Sequence, residues 1–85
     1  MIVRIMAEGQ YRLSDEAFER LKDIDDHLLT ALEEHDGTRF HRLFRDALAV
    51  VRNGEPLAQS LETSDLVLPP AETSMEEARR LMEAE

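Results

Sequence analysis

An α+β fold is what this chain predicts: a short N-terminal β-hairpin with a third short strand, packed on an antiparallel αα-hairpin and followed by a short C-terminal helix. Three observations carry the prediction. Ile2 to Leu13 reads as β-branched strand, glycine, strand. Two stretches between Ser14 and Val51 repeat apolar residues at helical spacing, with only Asp36-Gly37 between them. An apolar run closed by Pro69-Pro70 then precedes a capped helix.

Ile2-Val3-Arg4-Ile5-Met6 has the residue types of a strand, and Gly9 turns the chain back into Gln10-Tyr11-Arg12-Leu13. A hairpin alone is marginal in water, so helices must cover its apolar face. Ser14 is a suitable N-cap for the first of them, with Asp15 and Glu16 at the positive end of the helix dipole. Leu13 and Phe18 stand in hydrophobic-staple positions. Phe18, Leu21, Ile24, Leu28, Ala31 and Leu32 form its apolar face, and Gly37 is expected to supply a left-handed stop. A second helix is expected from Thr38, where Phe40, Leu43, Phe44, Ala47, Leu48 and Val51 fill the helical template, until Asn53-Gly54 and Pro56 end it. The short connection makes the pair an antiparallel hairpin. Glu55 to Thr63 reads as a loop, Leu66 to Pro70 as an edge strand or extended segment, and Ser74-Met75-Glu76-Glu77 as a capping box. The last helix is expected from Met75 to about Ala84, with Met75, Ala78, Leu81 and Met82 on its apolar side.

All 85 residues read as one domain, 1–85, small enough to bury only about 60 to 65 % of its unfolded surface. There is no cysteine, so neither disulfides nor thiolate metal sites supplement the core. A formal net charge of −9 opposes binding to nucleic acid, and it equally opposes direct contact with an anionic membrane. Nothing reads as a signal peptide or a membrane span, and the expected location is the cytoplasm. The charge is uneven: Ser14 to Asp36 holds nine acids against two bases, and Thr38 to Arg52 four arginines against Asp46.

No glycine-rich phosphate loop, nucleophile elbow or triad stands in the chain, and adjacent acid pairs such as Asp25-Asp26 diverge by about 100° on a helix. The reading is therefore non-enzymatic, with no cofactor. His27, His35 and His41 include no pair at i, i+4 spacing, and no metal site is expected. Phe18, Phe40, Phe44 and Leu48 are structural residues. So is Asp25, a carboxylate at the edge of an apolar stripe, which either accepts hydrogen bonds from Tyr11, Arg4 or Arg12 or leans into water. Arg39, Arg42 and Arg45 form a ridge that neutralises the first helix or else receives an acidic partner helix. Tyr11 and the run Leu66, Val67, Leu68, Pro69, Pro70 are the remaining conspicuous surface candidates, because an edge strand invites pairing.

Met1-Ile2-Val3-Arg4-Ile5-Met6-Ala7-Glu8-Gly9-Gln10-Tyr11-Arg12 resembles the opening of the PspA-associated (PspAA) family of phage-shock, envelope-stress systems. Ser64-Asp65-Leu66-Val67-Leu68-Pro69-Pro70 followed by a capped helix resembles its C-terminal hallmark. The likeness spans nearly the whole chain, with its specific residues at the two ends. One departure is Ala7, where the family commonly has glycine. The resemblance implies a small domain that accompanies PspA-type coiled-coil proteins at the inner membrane, without catalytic activity. The partner expected on that ground is a PspA-type helical protein, bound through Tyr11, Arg39, Arg42 and Leu66 to Pro70, with membrane contact only through it. The rival expectation is a structural domain that forms a homo-oligomer through its sheet edge.

Overall fold

The computed structural model describes residues 1–57 and 63–83, with side chains through residue 80. Strands β1 (Ile2–Ile5) and β2 (Gly9–Arg12) form the hairpin, and helices α1 (Asp15–Glu33) and α2 (Gly37–Arg52) follow. After them come β3 (Glu55–Leu57), β4 (Leu66–Leu68) and α3 (Met75–Glu83). The strands make one mixed sheet in the order β3-β2-β1-β4, antiparallel except for the β1–β4 pair. The fold is α+β, as expected, with one strand more than the hairpin and the edge run supply.

The hairpin turns through Glu8 N–H donating to the Ile5 carbonyl at 3.0 Å. Ala7 adopts φ 68° and Gly9 φ 141° there. A positive φ at the third position of a turn is what glycine permits without cost, so Ala7 holds a conformation its Cβ opposes. Residues paired across strands share a face of the sheet. Val3, Ile5, Tyr11, Leu66 and Leu68 line the inner face, and Ile2, Arg4, Gln10 and Val67 lie on the outer one. Val3 and Ile5 are fully buried beneath the helices.

Ser14 caps α1, its hydroxyl accepting from Ala17 N–H at 3.2 Å. The other end of α1 differs from expectation. His35, not Gly37, takes the left-handed conformation, at φ 56°. Asp36 N–H then reaches the Ala31 carbonyl (2.9 Å) and His35 N–H the Leu32 carbonyl (3.2 Å), a Schellman arrangement that satisfies the last carbonyls of the helix. With the reversal completed by His35, Asp36 caps α2 through Oδ1, which accepts from Arg39 N–H at 3.1 Å, and Gly37 becomes the first helical residue. The expected start at Thr38 is thus one residue late, because the acid before the glycine serves as cap.

The core runs along the α1–α2 seam. Leu21, Leu28, Ala31 and Leu32 meet Phe40, Phe44, Ala47, Leu48 and Val51, all at most 5 % exposed. Phe40 and Phe44 stack at 5.5 Å between ring centroids, and Phe18 packs at the border of the cluster. Gly54 ends α2 against the sheet. A Cβ there would stand 2.5 Å from Leu13 Cδ2 and 2.6 Å from the Arg12 carbonyl oxygen, so only glycine lets the chain pass.

Glu55 to Leu57, expected as loop, pairs with β2 instead, with Tyr11 opposite Pro56. Proline ended the helix as expected, yet its missing N–H is tolerated on an edge strand, so a strand follows at once. The rest of that expected loop, 58–62, lies outside the described residues. Leu66 to Leu68 is an edge strand as read, and Asp65 fixes its start: Ile2 N–H donates to Asp65 Oδ2 (2.8 Å) and Asp65 N–H to the Ile2 carbonyl (2.7 Å). Ser74 caps α3, accepting from Glu77 N–H at 3.2 Å. Ala78 is fully buried and Met75 packs on the core. The expected roles of Leu81 and Met82, and the helix end at Ala84, lie outside the described residues.

Candidate functional site

α2 carries its arginines on the side away from the core. At about 100° per residue, Arg42 points roughly opposite the Phe40–Phe44–Val51 face, flanked by Arg39 and Arg45. Arg39 pairs with Glu34 at 3.5 Å, beside the turn between the helices. Among the described residues, Arg42 and Arg45 have no ion-pair partner, and both are exposed. The ridge therefore neutralises the acids of α1 only at its first member. Geometry explains this: the seam between the helices is apolar, and the outward face of α2 does not look at α1.

Tyr11 and the β4 run, expected as one surface, are separated by β1, since Tyr11 pairs with Val3 and Val3 with Leu66. Within the run, Leu68 (2 % exposed) and Pro69 are buried, Leu66 and Pro70 are half-buried, and Val67 is 51 % exposed. Strand alternation turns Leu66 and Leu68 towards the helices and Val67 away from them, while Pro69, past the end of β4, is buried outside that alternation.

The Tyr11 hydroxyl belongs to a clasp that sequence reasoning did not find. It donates to Glu8 Oε2 at 2.8 Å, while Arg52 donates to both carboxylate oxygens of Glu8, at 2.9 and 2.6 Å. The bidentate Arg52 contact, helped by Tyr11, pulls the Glu8 carboxyl down to about 2. The same bonds push Tyr11 and Arg52 upward. This clasp ties the hairpin turn to the end of α2 across 44 residues, and the one sequence signal for it was a basic residue in the last helical turn.

The proposed tie from Tyr11 to Asp25 does not form, because the single hydroxyl proton goes to Glu8. Asp25 is half-buried, and its carboxyl is raised by that burial and then by the neighbouring Asp26 charge. His27 Nδ1 lies 2.8 Å from the Asp23 carbonyl oxygen, and Arg79 Nη1 lies 3.4 Å from both ring nitrogens of His35. His41 is exposed. No three His, Cys, Asp or Glu side chains among the described residues could hold a metal together. A cleft of about 250 Å³ lies between the start of α1 and the end of α2, lined by residues that include Leu13, Arg20 and Val50. That is below the roughly 300–1,000 Å³ of small-molecule sites. No described helix is long and apolar enough to cross a membrane.

Taken together, the geometry defines a small α+β domain whose described surface carries an arginine ridge on α2 and the edge strand β4. The chain belongs to the PspA-associated protein family, PspAA, whose model matches residues 1–85. No curated protein and no solved structure matches it significantly. The family sets the chain in the phage-shock context and is not a family of known enzymes.

Proposed function

We propose that this protein is a non-enzymatic, cytoplasmic adaptor or regulator of the phage-shock response to envelope stress. In this reading it binds a PspA-type coiled-coil protein and reaches the membrane only through that partner. The family supports the partner. The observation that carries the binding mode is Arg42, exposed opposite the core, without an ion pair among the described residues, and flanked by Arg39 and Arg45. An arginine ridge on a helix suits the acidic face of another helix laid alongside it, and its charge steers the encounter and sets the register. The net charge of −9 supports a protein partner over an anionic lipid surface. Of the expected contacts, Arg42 and Arg39 belong to this surface. Tyr11, Leu66, Leu68 and Pro69 are better read as supports within the sheet.

Co-purification and titration calorimetry with the PspA-type protein test this reading. R42E/R45E is expected to weaken the complex by about ten-fold or more while leaving the melting temperature unchanged. Full affinity in that variant removes the ridge assignment, and no complex with the unaltered chain removes the function.

A further inference from the structure

The two edges of the sheet are unlike. β3 carries Pro56, which has no N–H to offer, and the charge of Glu55, both devices that discourage further pairing. β4 is Leu66-Val67-Leu68, with no charge and no proline within it. Met6 N–H donates to the Leu68 carbonyl at 3.0 Å, so the polar groups of Leu68 face β1. Successive residues of a strand direct their backbone groups to opposite sides, and the N–H and C=O of Val67 therefore face the open edge. The Val67 side chain is 51 % exposed on the outer face, opposite Arg4 of β1. Asp65, pinned at both its amide and its carboxylate to Ile2, holds this edge in place.

We propose that β4 is a self-association edge: two copies of the chain pair antiparallel through it, on a two-fold axis at Val67, to form one continuous eight-stranded sheet. The occupant follows from the edge itself. One residue offering one donor and one acceptor is complementary to its own copy, since two such residues placed opposite each other exchange both hydrogen bonds. The axis stands perpendicular to the sheet, so the outer faces become continuous and Val67 of one protomer lies opposite Val67 of its partner. Charge permits it. Asp65, two residues before Val67, already has its carboxylate bonded to Ile2 N–H. Arg4, beside Val67, would lie about three strand spacings, roughly 14 Å, from the partner's Arg4. That exceeds the ~8 Å Debye length at physiological salt. This edge is separate from the arginine ridge, and the inference stands whether or not the ridge binds a helical protein.

The chain has no cysteine, so Val67→Cys introduces a single thiol. In a hydrogen-bonded antiparallel pair the two Cα atoms would be about 5.5 Å apart, within reach of a disulfide or a short thiol cross-linker. Most of V67C is expected to become a covalent dimer, while Glu55→Cys on the guarded edge stays monomeric under the same conditions. Light scattering on the unaltered chain should show dimers that dissociate on dilution. Val67→Lys should raise the dissociation constant ten-fold or more, with circular dichroism unchanged and with melting unchanged at dilutions where both chains are monomeric. A chain monomeric at every concentration overturns the proposal. So does a dimer that V67K leaves undiminished, or one that V67C fails to capture.

Discussion

The helical hairpin and the sheet beneath it are held by different means. α1 and α2 meet along an uninterrupted apolar seam, and each is capped by a residue next to it in the chain. The sheet gathers residues 2–5, 9–12, 55–57 and 66–68; Val3, Ile5 and Leu68 anchor its inner face in the same core, while its rim is held by polar contacts between distant residues: Asp65 to Ile2, Arg52 to Glu8, Gln10 to Ser64. The difference teaches where damage should be global and where it should be local, because many dispersive contacts add up while one exposed hydrogen bond contributes little.

The largest effect expected is at the seam. Phe40→Ala empties a fully buried ring site and should cost about 3–5 kcal/mol, a large part of the stability of a chain this short, as measured by urea unfolding. A loss under 1 kcal/mol would break the contrast between seam and sheet. Next comes the junction of the two halves. Gly54→Ala drives a methyl into Leu13 and the Arg12 carbonyl and should cost about 1–3 kcal/mol, again by denaturant midpoint. Third is the hairpin turn, where Ala7→Gly should stabilise by about 0.5–1 kcal/mol in thermal melts, since φ 68° suits glycine even after its extra unfolded-state entropy is counted.

The smallest effect is in acid, and its sign separates the two halves. Glu8 has a lowered carboxyl in the folded chain, so its contribution is complete above its ordinary value of 4.5 and is lost as pH falls towards about 2. Asp25 is raised in the folded chain, so it opposes folding at neutral pH and ceases to do so as pH falls below its folded value. Glu8→Gln should therefore lower the melting temperature at pH 7 and narrow its difference from the unaltered chain by pH 2. Asp25→Asn should raise the melting temperature at pH 7 and lose that advantage in acid. Melting curves across pH check both, and equal signs would show that the two carboxylates do not differ in the way their surroundings require.

The candidate surfaces were only partly legible. Arg39, Arg42 and Arg45 were visible as a ridge from their spacing, but that, among the described residues, Arg39 alone of the three pairs with an acid depends on which way α2 is rotated. Leu66 to Pro70 was visible as an edge strand, but only the register against β1 singles out Val67 as its exposed member. Glu8 gave no signal, because its partner Arg52 lies 44 residues away.

Helix periodicity, the Ser14 and Ser74 caps and the β-branched opening determine, by local physics alone, an α+β chain with a helical hairpin. Local geometry also requires a left-handed residue between the helices. That His35 rather than Gly37 takes it is a local choice, made because Asp36 serves as the cap of α2; that a strand hides after Pro56, and that β4 lies parallel to β1 with Val67 facing out, were decided only when distant parts of the chain came together. Backbone hydrogen bonds between distant residues have no counterpart in sequence spacing, so their partners exist only once the core has placed them.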